Sequence, residues 1–149
     1  MGSKSNTFEN ELLLLIFNNT DIADIGDAAG LQNSATAGSL YVSLHTATLD
    51  DASTQTTSEC AYAGTTPYAR VAVARSGAGW TVTNNSVSPA ATITFPACST
   101  GSETATHFGV GVAASGAGKL LYWGAITPSI SISAGVTPQL TTATAITED

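Results

Sequence analysis

Charge is what this sequence has least of. Asp, Glu, Lys and Arg make up 10% of its 149 residues, against roughly 25% in an ordinary soluble domain. Four of these are basic and eleven acidic, for a formal charge of −7. Lys4, Arg70, Arg75 and Lys119 are scattered along the chain, so no basic patch can be assembled from them. Phosphate backbones and anionic lipid surfaces are gripped by clustered cations, so neither nucleic acid nor membrane is an expected partner. Cysteine is nearly missing too. Cys60 and Cys98 stand far apart, with no second His/Cys pair at metal-ligand spacing, which argues against a zinc site. The sequence reads without a secretory signal, and two free thiols are expected rather than a disulfide. The longest apolar run, Leu12 to Phe17, is too short to span a bilayer.

What is abundant is Ala, Thr, Ser and Gly. A surface of hydroxyls and methyls has no ionic hydration shell to strip, so it desolvates easily against a neighbouring protein. The chain is long enough for one domain with its own core, needing neither metal nor disulfide.

One helix is predicted, from about Thr7 to Asn18, started by Asn6 with Glu9 three residues on, a capping-box-like arrangement. Phe8, Leu12, Leu15 and Ile16 form one stripe, and Leu13 with Phe17 a second. A helix apolar most of the way round must be covered on two sides. One side suits the chain's own β-structure, and the other suits either that same core or another subunit.

Beyond Gly38 the period changes to two. Ser39 to Thr46 alternates Leu40, Val42 and Leu44 inward with Tyr41, Ser43 and His45 outward, as a half-buried strand does. Ala47 to Thr66 reads as a long polar loop. Val71 and Val73, then Gly77-Ala-Gly79, then Trp80 and Val82 read as a β-hairpin holding both arginines. Asn84-Asn85-Ser86 turns the chain. Strands follow at Ala91–Phe95, at Thr104–Val112 and at Lys119–Ile126, the last ended by Thr127-Pro128. Ile130–Ile132 and Val136–Leu140 read as a closing hairpin. Gly109 and Gly111 leave one face of their strand bare, so a backbone or a large side chain should lie across it. The pattern predicts a mainly β fold: an antiparallel sandwich of about eight strands, jelly-roll-like or immunoglobulin-like, or a small barrel, with one N-terminal α-helix. Residues 1–38 form an arm, helix and irregular segment, and 39–149 the β-domain, one structural unit overall.

Chemistry-bearing residues are few. His45 with Asp50 or Asp51 could be drawn into a Ser-His-Asp arrangement, but serine is so common here that the match is uninformative, and no G-x-S-x-G or H-E-x-x-H occurs. His45 and His107 read as surface or interface hydrogen-bonding groups. Asp21, Asp24 and Asp27 lack the closing Glu of a calcium loop and read as turn caps. Ser115 to Lys119 has glycine and lysine but not the phosphate-loop spacing, and reads as a hairpin turn. No catalytic, metal or cofactor-binding residue is assigned. Arg70 points outward beside Ala72 and Ala74, so its guanidinium is available either to a partner's carboxylate or to an internal one, Glu59 or Glu103. The candidate partner interface is Phe8, Leu12, Leu13, Leu15, Ile16 and Phe17 with Arg70 and Arg75.

Leu40-Tyr-Val-Ser-Leu-His-Thr46, Tyr68-Ala-Arg-Val-Ala-Val-Ala-Arg75, Gly79-Trp-Thr-Val82, Ile93-Thr-Phe-Pro-Ala97 and Ile146-Thr-Glu-Asp149 together resemble a family of small virion proteins of tailed bacteriophages, often labelled tail-fibre or structural. The resemblance runs over nearly the whole chain from Thr7 and implies a structural, non-enzymatic virion component without cofactors. A capsid decoration (cement) protein that stabilises the assembled head is the expected role. Its partners would be the major capsid protein and copies of itself, as dimer or trimer, with no small-molecule substrate. A tail, baseplate or tail-fibre attachment component is the alternative. A carbohydrate- or receptor-binding module, with Tyr41, Tyr122 and Trp123 as platforms, is a further one.

Overall fold

Ser5 starts the one helix among the described residues, 3–148 of a computed structural model, which includes all but Met1 and Gly2 of the polar arm. Helix α1 spans Asn6–Asn18, and its cap is Ser5 rather than Asn6: the Ser5 hydroxyl accepts from the Phe8 N–H at 3.3 Å. Serine satisfies an orphan donor of the first turn as asparagine would, so the cap lies one residue upstream. The far end closes on Asn19 in the left-handed conformation (φ 56°), whose N–H reaches the Leu14 carbonyl.

The fold is mainly β, with nine strands among the described residues, in antiparallel sheets. The chain divides into two compact units. The first contains residues up to Ser39, Val73–Ala91 and the chain from Thr141 onward. Its sheet has the order β3-β4-β9, from Trp80–Thr83, Ser86–Pro89 and Ile146–Thr147. Asn84-Asn85 makes the tight turn between β3 and β4, with Asn84 at φ 55°, a left-handed position asparagine tolerates. Helix α1 lies against β3 and β4. Leu13, Phe17, Trp80, Val87 and Ile146 are buried there, with the Phe17 and Trp80 rings edge-on at 4.8 Å.

Arg75 holds this unit together from outside the helix. No basic residue occupies the last turn of α1, yet Arg75 donates from Nε to the Ile16 carbonyl and from Nη2 to the Leu15 carbonyl, both at 2.7 Å. Its Nη1 donates to the Ala37 carbonyl at 3.1 Å and to Ser34 Oγ at 3.3 Å. The last carbonyls of a helix have no internal partner and carry the negative end of its dipole, so a guanidinium is the cation best suited to them.

The second unit comprises Leu40–Ala72 and Thr92–Leu140. A four-stranded sheet has the order β2-β1-β6-β7, from Val71–Ala74, Ser39–His45, Ser102–Gly111 and Leu120–Ser133. The chain leaves this unit partway along β2. A short ribbon pairs β5, Ile93–Thr94, with β8, Gln139–Leu140.

Several expectations are corrected. Val71–Ala74 and Trp80–Thr83 do not form a hairpin; β2 joins β1, and β3 joins β4 across the shorter Asn84-Asn85 turn. Ser86, read as part of the turn, instead opens a further strand, Ser86–Pro89. Thr127-Pro128 does not end its strand. Strand β7 runs through it by a cis peptide and a register shift opposite Thr106; an edge strand tolerates proline because one side of its ladder is unused. Val136–Leu140 does not pair with Ile130–Ile132: Ile132 lies opposite Glu103, and Leu140 pairs with Ile93. Finally, Ser43 and His45 are fully buried although they alternate with Leu44; both faces of β1 are covered.

Arg75→Ala is expected to destabilise the first unit by about 2 kcal/mol, the usual scale for hydrogen bonds from a charged donor. Arg75→Lys should restore less than half of this, because an ammonium cannot fork onto two helix carbonyls. Urea unfolding of the three proteins measures it; equal stability of Ala and Lys variants with wild type would refute the role.

Candidate functional site

In the second unit Arg70 and Glu59 meet at one node. The Arg70 side chain is 2% exposed and grips Glu59 with two parallel bonds, Nε to Oε1 at 2.7 Å and Nη2 to Oε2 at 2.8 Å. The remaining donors reach the β6–β7 connection: Nη1 to the Ala113 carbonyl at 2.9 Å and Nη2 to the Gly116 carbonyl at 2.8 Å. Glu59 also accepts from the Tyr68 hydroxyl at 3.1 Å, and that hydroxyl accepts from the Leu44 N–H at 2.9 Å. Burial, reinforced by Glu59, pushes the Tyr68 phenol above its ordinary range, so it stays a neutral donor. A fork-to-fork arginine–carboxylate pair is the arrangement that compensates burial of both charges. The internal reading of Arg70 is the one realised, with Glu59; Glu103 instead accepts from the Ala61 N–H at 3.0 and 3.1 Å.

A cleft of about 350 Å³ opens over this node, lined by Cys60, Tyr62, Pro67, Tyr68 and Ser115 among others. Its polar walls are already engaged. Tyr62 donates to the Pro96 carbonyl at 2.7 Å. Burial, with Glu103 adding to it, raises the Cys60 thiol to about 12, far from a reactive thiolate. Cys60 and Cys98 are free and buried.

The two bare glycines of β6 are covered as their spacing predicts. A Cβ on Gly109 would fall 2.8 Å from His45 Nε2 and 2.9 Å from Ser43 Oγ, and one on Gly111 would fall 2.2 Å from Gln55 Cδ. Gln55, fully buried, was not picked out by the sequence reading. Its Oε1 accepts from the Ala113 N–H at 2.9 Å, and its Nε2 donates to the Ala113 carbonyl at 3.3 Å. The only signal for it was the vacancy the glycines leave. His45 Nδ1 lies 2.8 Å from the Thr57 carbonyl and so carries the proton, leaving Nε2 to accept from Ser43 Oγ at 2.8 Å. Burial lowers the His45 pKa below its ordinary 6.5, although Thr57 and Glu59 pull the other way. Asp50 caps its own loop at Ala52 and Ser53, not His45. No Ser-His-Asp arrangement forms, and the Ser43–His45 pair is sealed from solvent.

The remaining candidates are placed as follows. Leu13 and Phe17 are fully buried within the first unit, whereas Phe8, Leu12, Leu15 and Ile16 are half-buried. Arg75 meets the last turn of that helix; Arg70 belongs to the second unit. Asp27 caps Ala29 and Gly30, and Asp21 accepts from Asn33 N–H, as turn caps do. Among the described residues no cluster of three His, Cys, Asp or Glu could hold a metal. Tyr122 and Trp123 are neighbours on β7 and so face opposite sides of the sheet; they do not make a common platform.

Arg70 and Arg75, two of the four basic side chains, are thus engaged within the chain. The chain belongs to the family described as podophage GP4 fiber I protein gp80, which it matches over residues 3–147. It is therefore a bacteriophage virion structural protein of a fibre family. No curated protein matches it. No helix is long and apolar enough to cross a membrane among the described residues.

Arg70→Ala should destabilise the second unit by about 3 kcal/mol, because it leaves Glu59 largely buried without its cation. The paired change Arg70→Met with Glu59→Leu should recover most of that loss in the same melting experiment. His45 gives a pH dependence of known sign. Its folded pKa lies below the unfolded value, so the unfolded chain binds the proton the folded one refuses, and stability falls as pH drops through 6.5. His45→Gln should flatten that part of a Tm-against-pH curve between 7.5 and 5; an unchanged slope would count against it.

Proposed function

We propose that this chain is a building block of a phage fibre, held on the particle by protein–protein contact and carrying out no reaction. The observation that supports it most directly is membership of a fibre family along nearly the whole chain. The contact surface assigned to attachment is the half-buried side of α1, Phe8, Leu12, Leu15 and Ile16. Arg75 acts there indirectly by fixing the last turn of the helix. Arg70 acts as an internal brace and not as a partner contact.

A capsid decoration role is the second reading. It is favoured by the absence of any heptad or collagen-like repeat in the sequence, the devices by which long fibres are usually extended. A protein that binds only the assembled lattice of major capsid protein stabilises that lattice by mass action, each copy contributing modestly.

Gold-labelled antibody on intact virions and on tails from head-defective infections separates the two. Label on the tails and their fibres is the expected result, and label confined to heads would transfer the assignment to capsid decoration. Truncation at Phe17 would remove the buried Leu13 and Phe17, so attachment is better tested by Phe8→Ser with Leu12→Gln. This pair should reduce incorporation at least about tenfold, as loss of an apolar anchor does, with the far-ultraviolet spectrum unchanged.

A further inference from the structure

The four-stranded sheet ends at β7, with no strand of the described residues on its outer side. An edge of this kind offers a row of N–H and C=O groups to any extended chain, and folded proteins ordinarily block it with lysine, proline, bulges or a short length. Strand β7 is long, Leu120–Ser133, and contains no charged residue. Its irregularities are two: the register shift at Val110/Gly111, near Leu121, and the shift at Ala105/His107, near Pro128. Between them lies a regular stretch, Tyr122-Trp-Gly-Ala-Ile126, in register with Val110 to His107 as far as Ala125. Ala125 is exposed there, and the other four residues are half-buried.

We propose that Tyr122–Ile126 is the seam along which two copies of this chain join, edge to edge and antiparallel, extending each sheet into the other. The occupant is a second copy for an electrostatic reason. About a two-fold axis centred on Gly124, Tyr122 meets Ile126 of the other copy, Trp123 meets Ala125 and Gly124 meets itself, so a charge placed on this short seam would stand close to its own copy. The chain as a whole carries −7, and β7 is a segment where two such chains can meet without opposing charges. The antiparallel ladder is itself self-complementary, since identical strands exchange N–H and C=O groups symmetrically. Trp123 and Tyr122 supply apolar area on the two faces of the joined sheet. The inference rests on the reading that copies of this chain act together in the particle.

Sedimentation velocity of the purified full chain over a hundredfold concentration range tests both, combined with hydrogen exchange. Wild type should associate reversibly, with the amides of 122–126 gaining protection as concentration rises. Ala125→Lys places like charges at the seam and should weaken association at least about tenfold; Ala125→Ser should behave as wild type. Both variants should keep the wild-type Tm at concentrations low enough for wild type to be monomeric. Association that is unaffected by Ala125→Lys, or that protects a different segment, would overturn the seam and leave self-association standing. A chain that stays monomeric throughout would overturn both.

Discussion

The guanidinium group is the fastening on which this structure depends. With no disulfide and few ions, each unit ties distant parts of the chain with one arginine: Arg75 joins α1 to the segment at Ser34–Ala37, and Arg70 joins Glu59 to the β6–β7 connection. Arginine suits this because its planar fork serves several carbonyls at once and keeps its charge when buried. Lysine, a point charge with a strong hydration shell, would serve one acceptor and resist burial. The near-total burial of Arg70 is tolerable only because Glu59 neutralises it and two carbonyls complete its valence.

This economy bears on function. With Arg70 and Arg75 occupied internally, few cations remain for the surface of a chain whose formal charge is −7. The hydroxyls and methyls that dominate the sequence give up water readily. The buried Ser43–His45 pair shows the same logic: a pair that on an open surface would suggest a hydrolase is here a core hydrogen bond under Gly109. Chemistry needs access, and this pair has none.

Much of this was written in the alternation of apolar residues. The mainly β class, the N-terminal helix, the turn at Asn84-Asn85 and something lying over Gly109 and Gly111 could all be read locally. What could not be read was pairing. Whether Trp80–Thr83 pairs backward with Val71–Ala74 or forward with Ser86–Pro89 is decided by turn length and by what else each strand can reach, and periodicity is blind to both. Burial of His45 escaped for a related reason, since alternation implies one wet face and a central strand between two layers has none. Gln55 escaped because a polar residue in a polar loop gives no sign that it will fill a glycine groove.

The first unit is assembled from three stretches of sequence, the last containing Ile146, which pairs with Val87 to complete its sheet. During synthesis the opening helix and the β3–β4 hairpin emerge long before this final strand. Closure must therefore await the synthesis of Ile146, and its loop entropy is correspondingly large. A prematurely released polypeptide would keep Val87 uncovered and its sheet short by one member.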